Sequence, residues 1–152
     1  MDSVITKIYI LDAYIQTLLC GRISSSERLT EDDIKAITSF HSLDKSSQYT
    51  SREYVGKVCR VFEAAMRRRK LAVTNDSYIG AVPHEALPDD LICVLFGCSV
   101  PVVLRKDVIP KATANEVLYK FVGEAYLHGF MDAKAIVMLV KGIRKVQDFT
   151  LK

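Results

Sequence analysis

The chain has 152 residues, 49% of them hydrophobic and 26% charged, with a formal net charge of +3. That balance is globular, so intrinsic disorder is excluded, and the charge is too small to argue for a nucleic-acid partner. The most apolar stretch, Ile92 to Leu104, is interrupted by Gly97 and Pro101 and is shorter than the roughly 18 residues a membrane span needs. The first residues carry Asp2, Lys7 and Asp12, the wrong pattern for a signal peptide. Four cysteines without an export signal imply free thiols in a reducing compartment, and the expected location is cytoplasmic.

In chain order, Val4, Ile5, Ile8, Leu11, Ile15, Leu18 and Leu19 recur at three- and four-residue steps, which predicts an amphipathic helix ended by Gly21. Ser24-Ser25-Ser26 is a polar linker. Thr30 with Asp33 forms a capping-box pattern ahead of the apolar stripe Ile34, Ile37 and Phe40. Thr50 with Glu53 repeats it and opens a helix to about Arg69, with Tyr54, Val58, Phe62, Ala65 and Met66 facing inward. The basic run Arg67 to Lys70 reads as cations in the last turn of that helix, favoured by its negative end.

Beyond Lys70 the period shortens. Leu71–Thr74, Tyr78–Val82, Leu91–Phe96, Val102–Arg105 and Val117–Ala125 are short β-rich runs separated by turn residues. Closely spaced strands of this kind predict an antiparallel meander curled toward a barrel. Ala133–Val140 fits a helix or a strand equally, and a last strand is expected near Val146–Leu151. The fold class is therefore α+β: one domain over 1–152, with about three N-terminal helices (1–70) packed on a small antiparallel β-barrel-like sheet (71–152).

The blocks that follow the helices are distinctive. They read Arg69-Lys70-Leu71-Ala72-Val73-Thr74, Tyr78-Ile79-Gly80-Ala81-Val82-Pro83, Asp90-Leu91-Ile92-Cys93-Val94-Leu95-Phe96-Gly97, Pro101-Val102-Val103-Leu104-Arg105 and Phe121 through Asp132. In that order they resemble the C-terminal region of the fungal heterokaryon-incompatibility (HET) family. Two positions depart from its pattern: Asp89 stands where the family has glycine, and Ala133-Lys134 replaces a Gly-Glu. The family's N-terminal HET domain, held responsible for its cell-death response, has no counterpart in these residues. The resemblance therefore implies a tail kept for a partner or given a new use.

The residues exclude several chemistries. His41, His84 and His128 show no zinc-ligand spacing, and no phosphate-binding glycine loop or nucleophile elbow occurs. Cys93 and Cys98 read as hairpin-flanking core thiols. No metal and no cofactor is expected. What remains is a polar cluster, Glu124, Tyr126, His128 and Asp132; on one continuous strand, 124, 126 and 128 share a face. With Arg105 and Tyr78 from other strands, they would line an apolar cavity that holds and polarises a substrate. The purely structural alternative is an Arg105–Glu124 ion pair and a His128-Gly129 turn.

Two functions follow. One is a cofactor-free enzyme of fungal natural-product biosynthesis, a cyclase or Diels–Alder-type pericyclase. Arg105, Tyr126 and His128 would be its catalytic donors, and Phe62, Met66, Tyr78, Phe121, Phe130 and Met131 its substrate-binding wall. Its partner would be an apolar small molecule, with no nucleic acid and no membrane span, and self-association left open. The other is a non-catalytic interaction module or remnant related to heterokaryon incompatibility.

Overall fold

The computed structural model describes residues 11–39, 47–109, 116–131 and 134–152, and the chain divides into two compact units, Met1–Leu71 and Ala72–Lys152. Val4, Ile5, Ile8, Phe40, Asp132 and Ala133, to which the sequence reading assigned places, lie outside the described residues.

In the first unit, residues 11–18 are helical (α1) and bury Ile15 while Leu11 stays exposed. Gly21 follows in a left-handed conformation (φ 69°), as a helix end requires. Helix α2 (Glu31–Thr38) starts with the anticipated capping box: the Asp33 N–H donates to Thr30 Oγ1 at 3.2 Å, and the Thr30 N–H donates to Asp33 Oδ2 at 3.0 Å. Such a cap is worth about 1 kcal/mol. The second box is displaced. Thr50 belongs to a 3₁₀ turn, Gln48–Thr50, and Ser51 caps helix α3 (Arg52–Met66) by accepting from the Tyr54 N–H at 3.1 Å. Helix α3 ends at Met66, so the basic run is not its last turn: Arg67 and Arg68 form the bend, and Arg69 and Lys70 begin strand β1 (Arg69–Val73). None of α3's residues is fully buried, and Phe62, expected inward, is 42% exposed.

The second unit follows the α+β expectation, with sheets after helices, but not as a continuous meander. Strands β2 (Ile79–Pro83), β3 (Leu91–Cys93), β4 (Val102–Ile109), β5 (Glu116–Glu124) and β6 (Tyr126–Leu127) form two three-stranded sheets, ordered β1-β2-β6 and β3-β4-β5. Pairing is antiparallel within β3-β4-β5 and between β2 and β6, where Gly80 faces Leu127 and Ala81 faces Tyr126. A bulge between Val103 and Leu104 leaves Val122 as the extra residue on β5, since Val103 pairs with Gly123 and Leu104 with Phe121.

Strand β4 supplies three consecutive buried residues, Val102, Val103 and Leu104. By alternation they serve two cores. Val103 packs with Val82, Ala86 and Ala125, joined by Ala72, Ile92 and Val122. Val102 and Leu104 pack with Tyr119, joined by Cys93, Leu95 and Phe149. Phe149 meets Tyr119 edge to face at 4.9 Å. The expected last strand is reduced to a parallel bridge between Leu151 and Tyr119, held by Tyr119 N–H to the Thr150 carbonyl (2.8 Å) and Lys152 N–H to the Tyr119 carbonyl (3.1 Å). The ambiguous stretch before it is helix α4 (Lys134–Val140).

Asp89, which stands in the glycine position of the resembled pattern, has φ 72°. Only glycine adopts this region freely; Asp tolerates it and β-branched residues do not. Asp89→Gly should change unfolding free energy by no more than about 0.5 kcal/mol, whereas Asp89→Val should lower it by about 1–2 kcal/mol, as read by urea denaturation.

Candidate functional site

The segment between β2 and β3 is tied to strand β4 by Arg105. Arg105, on β4, donates from Nε to Asp90 Oδ1 at 2.9 Å and from Nη2 to Asp90 Oδ2 and the Glu85 carbonyl, each at 2.8 Å. Asp90 Oδ2 also accepts from the Leu87 N–H at 2.8 Å. Its side chain is 6% exposed. Asp90 raises the Arg105 pKa above its ordinary value, so this cation is committed to its partner. The sequence reading paired Arg105 with Glu124 or with a substrate; the structure pairs it with Asp90. A fork-to-fork contact of this kind fixes a loop rather than offering donors to a ligand.

The shared face of 124, 126 and 128 does not form. Strand β5 ends at Glu124, Ala125 donates its N–H to the Pro101 carbonyl at 2.8 Å, and Tyr126 begins β6 in the other sheet. Glu124 is consequently exposed on one sheet while Tyr126 is buried on the other. The expected polar row is cut by a crossover that no residue periodicity announces.

Beyond β6 the chain turns tightly. The His128 N–H donates to the Ile79 carbonyl and the Phe130 N–H to the Leu127 carbonyl, both at 3.0 Å. Gly129 takes φ 87°, and a Cβ there would stand 3.8 Å from the Tyr78 ring. This turn brings Phe130 edge-on to Tyr78 at 4.7 Å. Arg144, from the segment after α4, lays its guanidinium 5.4 Å from the Phe130 centroid and 5.9 Å from the Tyr78 centroid, within cation–π range. Its Nη2 donates to Asp76 Oδ2 at 2.7 Å, and Asp76 and then Tyr78 hold its pKa above the ordinary value.

Two atoms of this region are exceptional. Arg144 Nε and His128 Nδ1 are buried without a hydrogen-bond partner among the described residues. Burial, and then the Lys134 ammonium, push the His128 pKa below its ordinary value, which keeps the imidazole neutral at pH 7. Tyr78, His128 and Phe130 were anticipated as site residues and lie together, the last two on this turn and Tyr78 just ahead of β2; Met131, also anticipated, follows Phe130. Arg144 was missed. Its signal is spatial, because 66 residues separate it from Tyr78 and no motif spacing links them.

The remaining anticipated residues lie elsewhere. Phe121 is an exposed residue of β5, and Phe62 and Met66 belong to α3 of the first unit. That unit has an apolar recess of about 190 Å³ lined by Ile37, Tyr49, Tyr54 and Val58 among others. It is smaller than drug-sized pockets, about 300 Å³ and upward. One polar group of its lining is engaged: the Tyr54 hydroxyl donates to Asp33 Oδ1 at 2.8 Å. Burial alone would raise the Asp33 pKa, but hydrogen bonds from Thr30 and Tyr54 outweigh it and lower the value. Cys98 is exposed rather than a core thiol, whereas burial pushes the half-buried Cys93 thiol up to about 11. Among the described residues no group of His, Cys, Asp and Glu side chains could hold a metal ion. No described helix is long and apolar enough to cross a membrane.

Residues 29–142 match the family model of the Het-6 beta-barrel domain. No curated protein and no solved structure matches the chain.

Asp90→Ala strands the Arg105 guanidinium beside a single carbonyl. With Arg105 about a third exposed, the cost should be about 1–3 kcal/mol in urea unfolding. The His128 shift carries a sign. As pH falls through the ordinary imidazole range, the unfolded chain takes up a proton that the folded chain refuses, so stability is present above pH ~6.5 and falls below it. His128→Gln should flatten that acid-side slope between about pH 5 and 7, measured by denaturation at each pH.

Proposed function

The chain belongs to the Het-6 beta-barrel domain family, and we propose that it binds an apolar, carbonyl-bearing small molecule and promotes its cofactor-free cyclisation, of the Diels–Alder type, in natural-product biosynthesis. The observation that carries this reading is a pair of buried atoms, Arg144 Nε and His128 Nδ1, that find no hydrogen-bond partner among the described residues, in the region of the Tyr78–Phe130 ring pair. A buried polar atom left without a partner costs about 1–3 kcal/mol, a penalty that a ligand atom in hydrogen-bond range removes.

The chemistry is polarisation. The Arg144 Nε–H donates to a substrate carbonyl oxygen, and the rings of Tyr78 and Phe130 with Met131 supply an apolar wall. A hydrogen-bonded carbonyl withdraws electrons from a conjugated double bond, which speeds its reaction with an electron-rich diene. The neutral His128 ring holds a second polar group of the substrate through Nδ1. Nothing is oxidised and no group is transferred, so the rate gain comes from holding a reactive conformer and from that donor. In this assignment Arg144 takes the donor role first given to Arg105, and Tyr126 serves the sheet.

A second reading, a non-catalytic interaction module, is favoured by one observation: two of the three anticipated catalytic residues serve the fold, Arg105 in the Asp90 clamp and Tyr126 in strand pairing. A ligand screen separates the two. Apolar α,β-unsaturated aldehydes and ketones are titrated against the protein and followed by thermal shift and by the NMR signals of Tyr78 and Phe130. Arg144→Lys keeps the charge and the reach to Asp76 but removes the Nε–H, and should weaken binding at least tenfold while moving Tm by no more than ~2 °C. Failure of every compound to saturate, or equal binding by Arg144→Lys and His128→Ala, leaves the interaction module as the function.

A further inference from the structure

Helix α4 reads Lys-Ala-Ile-Val-Met-Leu-Val, a sequence suited to a core, yet none of its residues is buried. Val140 is 82% exposed and Ile143 62%, and Ile136, Val137 and Val146 are exposed beside them. This is not a frayed end. Gly142 stops the helix at φ 69°, donating its N–H to the Leu139 carbonyl, while the Ile143 N–H reaches the Met138 carbonyl, both at 2.9 Å. Those two bonds are the pair that closes a helix C-terminus in the Schellman form. Arg144 then pins the segment to Asp76 and to the Tyr78 and Phe130 rings. The apolar patch is therefore presented by a fixed element.

Its charge points to the occupant. Residues 134–147 contain Lys134, Lys141, Arg144 and Lys145 and no acidic residue. Arg144 is taken by Asp76, while the three lysines are exposed and form no ion pair with any described residue. We infer that this face docks on an anionic phospholipid surface, its isoleucines and valines entering the headgroup–acyl boundary and its lysines reaching lipid phosphates. Aliphatic side chains ringed by lysine are the composition of an interfacial helix, and lysine stems can lie along the apolar surface while their ammonium groups stay at the headgroups. A second copy fits less well, because a two-fold contact would bring each lysine cluster near its own image. A protein partner also fits less well: the patch offers no aromatic residue, its arginine is already engaged, and lysine is depleted at protein interfaces. The inference is independent of the small-molecule reading.

The test floats the whole chain with phosphatidylcholine vesicles and with vesicles containing 30% phosphatidylserine. Flotation with the second kind only, released by ~0.5 M salt, is the expected result. Val137→Ser with Val140→Ser should abolish it without moving Tm, since both side chains are solvent-exposed. Lys134→Ala, Lys141→Ala and Lys145→Ala should each weaken it about fivefold. The inference is overturned by absence of flotation with anionic vesicles, by equal flotation with neutral ones, or by serine variants that float like the parent. It is overturned equally by a concentration-dependent dimer that the serine variants dissolve in the absence of lipid binding, which would assign the face to a second copy.

Discussion

The second unit is organised by a strand that has no solvent face at its start. Val102, Val103 and Leu104 are consecutive, so alternation sends them to opposite sides of the sheet, and both sides are filled. On one side Val103 meets the strand β2 residue Val82 and a set of alanines, whose small side chains permit close approach; a Cβ on Gly123 would stand 2.7 Å from the Pro83 ring. On the other, the space is closed by Tyr119 and by Phe149 from the chain's last residues. Each of those three residues moves more than about 1.5 kcal/mol of apolar burial out of water, and removing any one opens a cavity in one core. The Arg105–Asp90 clamp, one residue further along β4, is fixed by the same placement.

What the sequence disclosed and what it concealed divide along the range of the interaction. The Thr30–Asp33 capping box was legible because a cap is decided within four residues, and the α+β class was legible because hydrophobic period changes near Lys70. Several strands were found within a few residues, though β4 runs further, to Ile109, than the apolar run Val102–Arg105 suggested. The pairing of β2 with β6 was not legible: Gly80 and Leu127 are 47 residues apart, and nothing local marks them as partners. The β-rich run was read as Val117–Ala125, and a shared face for 124, 126 and 128 required that strand to continue past Ala125. Instead Ala125 donates its N–H to the Pro101 carbonyl, a tertiary bond, and the chain passes from one sheet to the other there.

The candidate site follows the same division. Arg105 was visible as a charge ending an apolar strand, but its partner had to be chosen among carboxylates, and the nearest in space came from a loop rather than from the facing strand. Tyr78 and Phe130 were singled out separately from their motif blocks, yet the cation between them was invisible because Arg144 lies in a basic stretch that reads as ordinary surface. A family match over residues 29–142 covers the whole of this cluster except Arg144 itself, which begins two residues past its end.

The crossover at Ala125 has a kinetic meaning as well. Strands β3, β4 and β5 follow one another and can zip through short-range contacts, whereas β6 can reach β2 only after the β4–β5 hairpin has delivered its end to Pro101. Closing the loop between Ile79 and His128 is then cheap, because most of the intervening chain is already ordered. Assembly in the reverse order would have to immobilise nearly fifty residues before any gain, so contact order favours a sequence in which the β3-β4-β5 sheet forms before the β2–β6 pair closes.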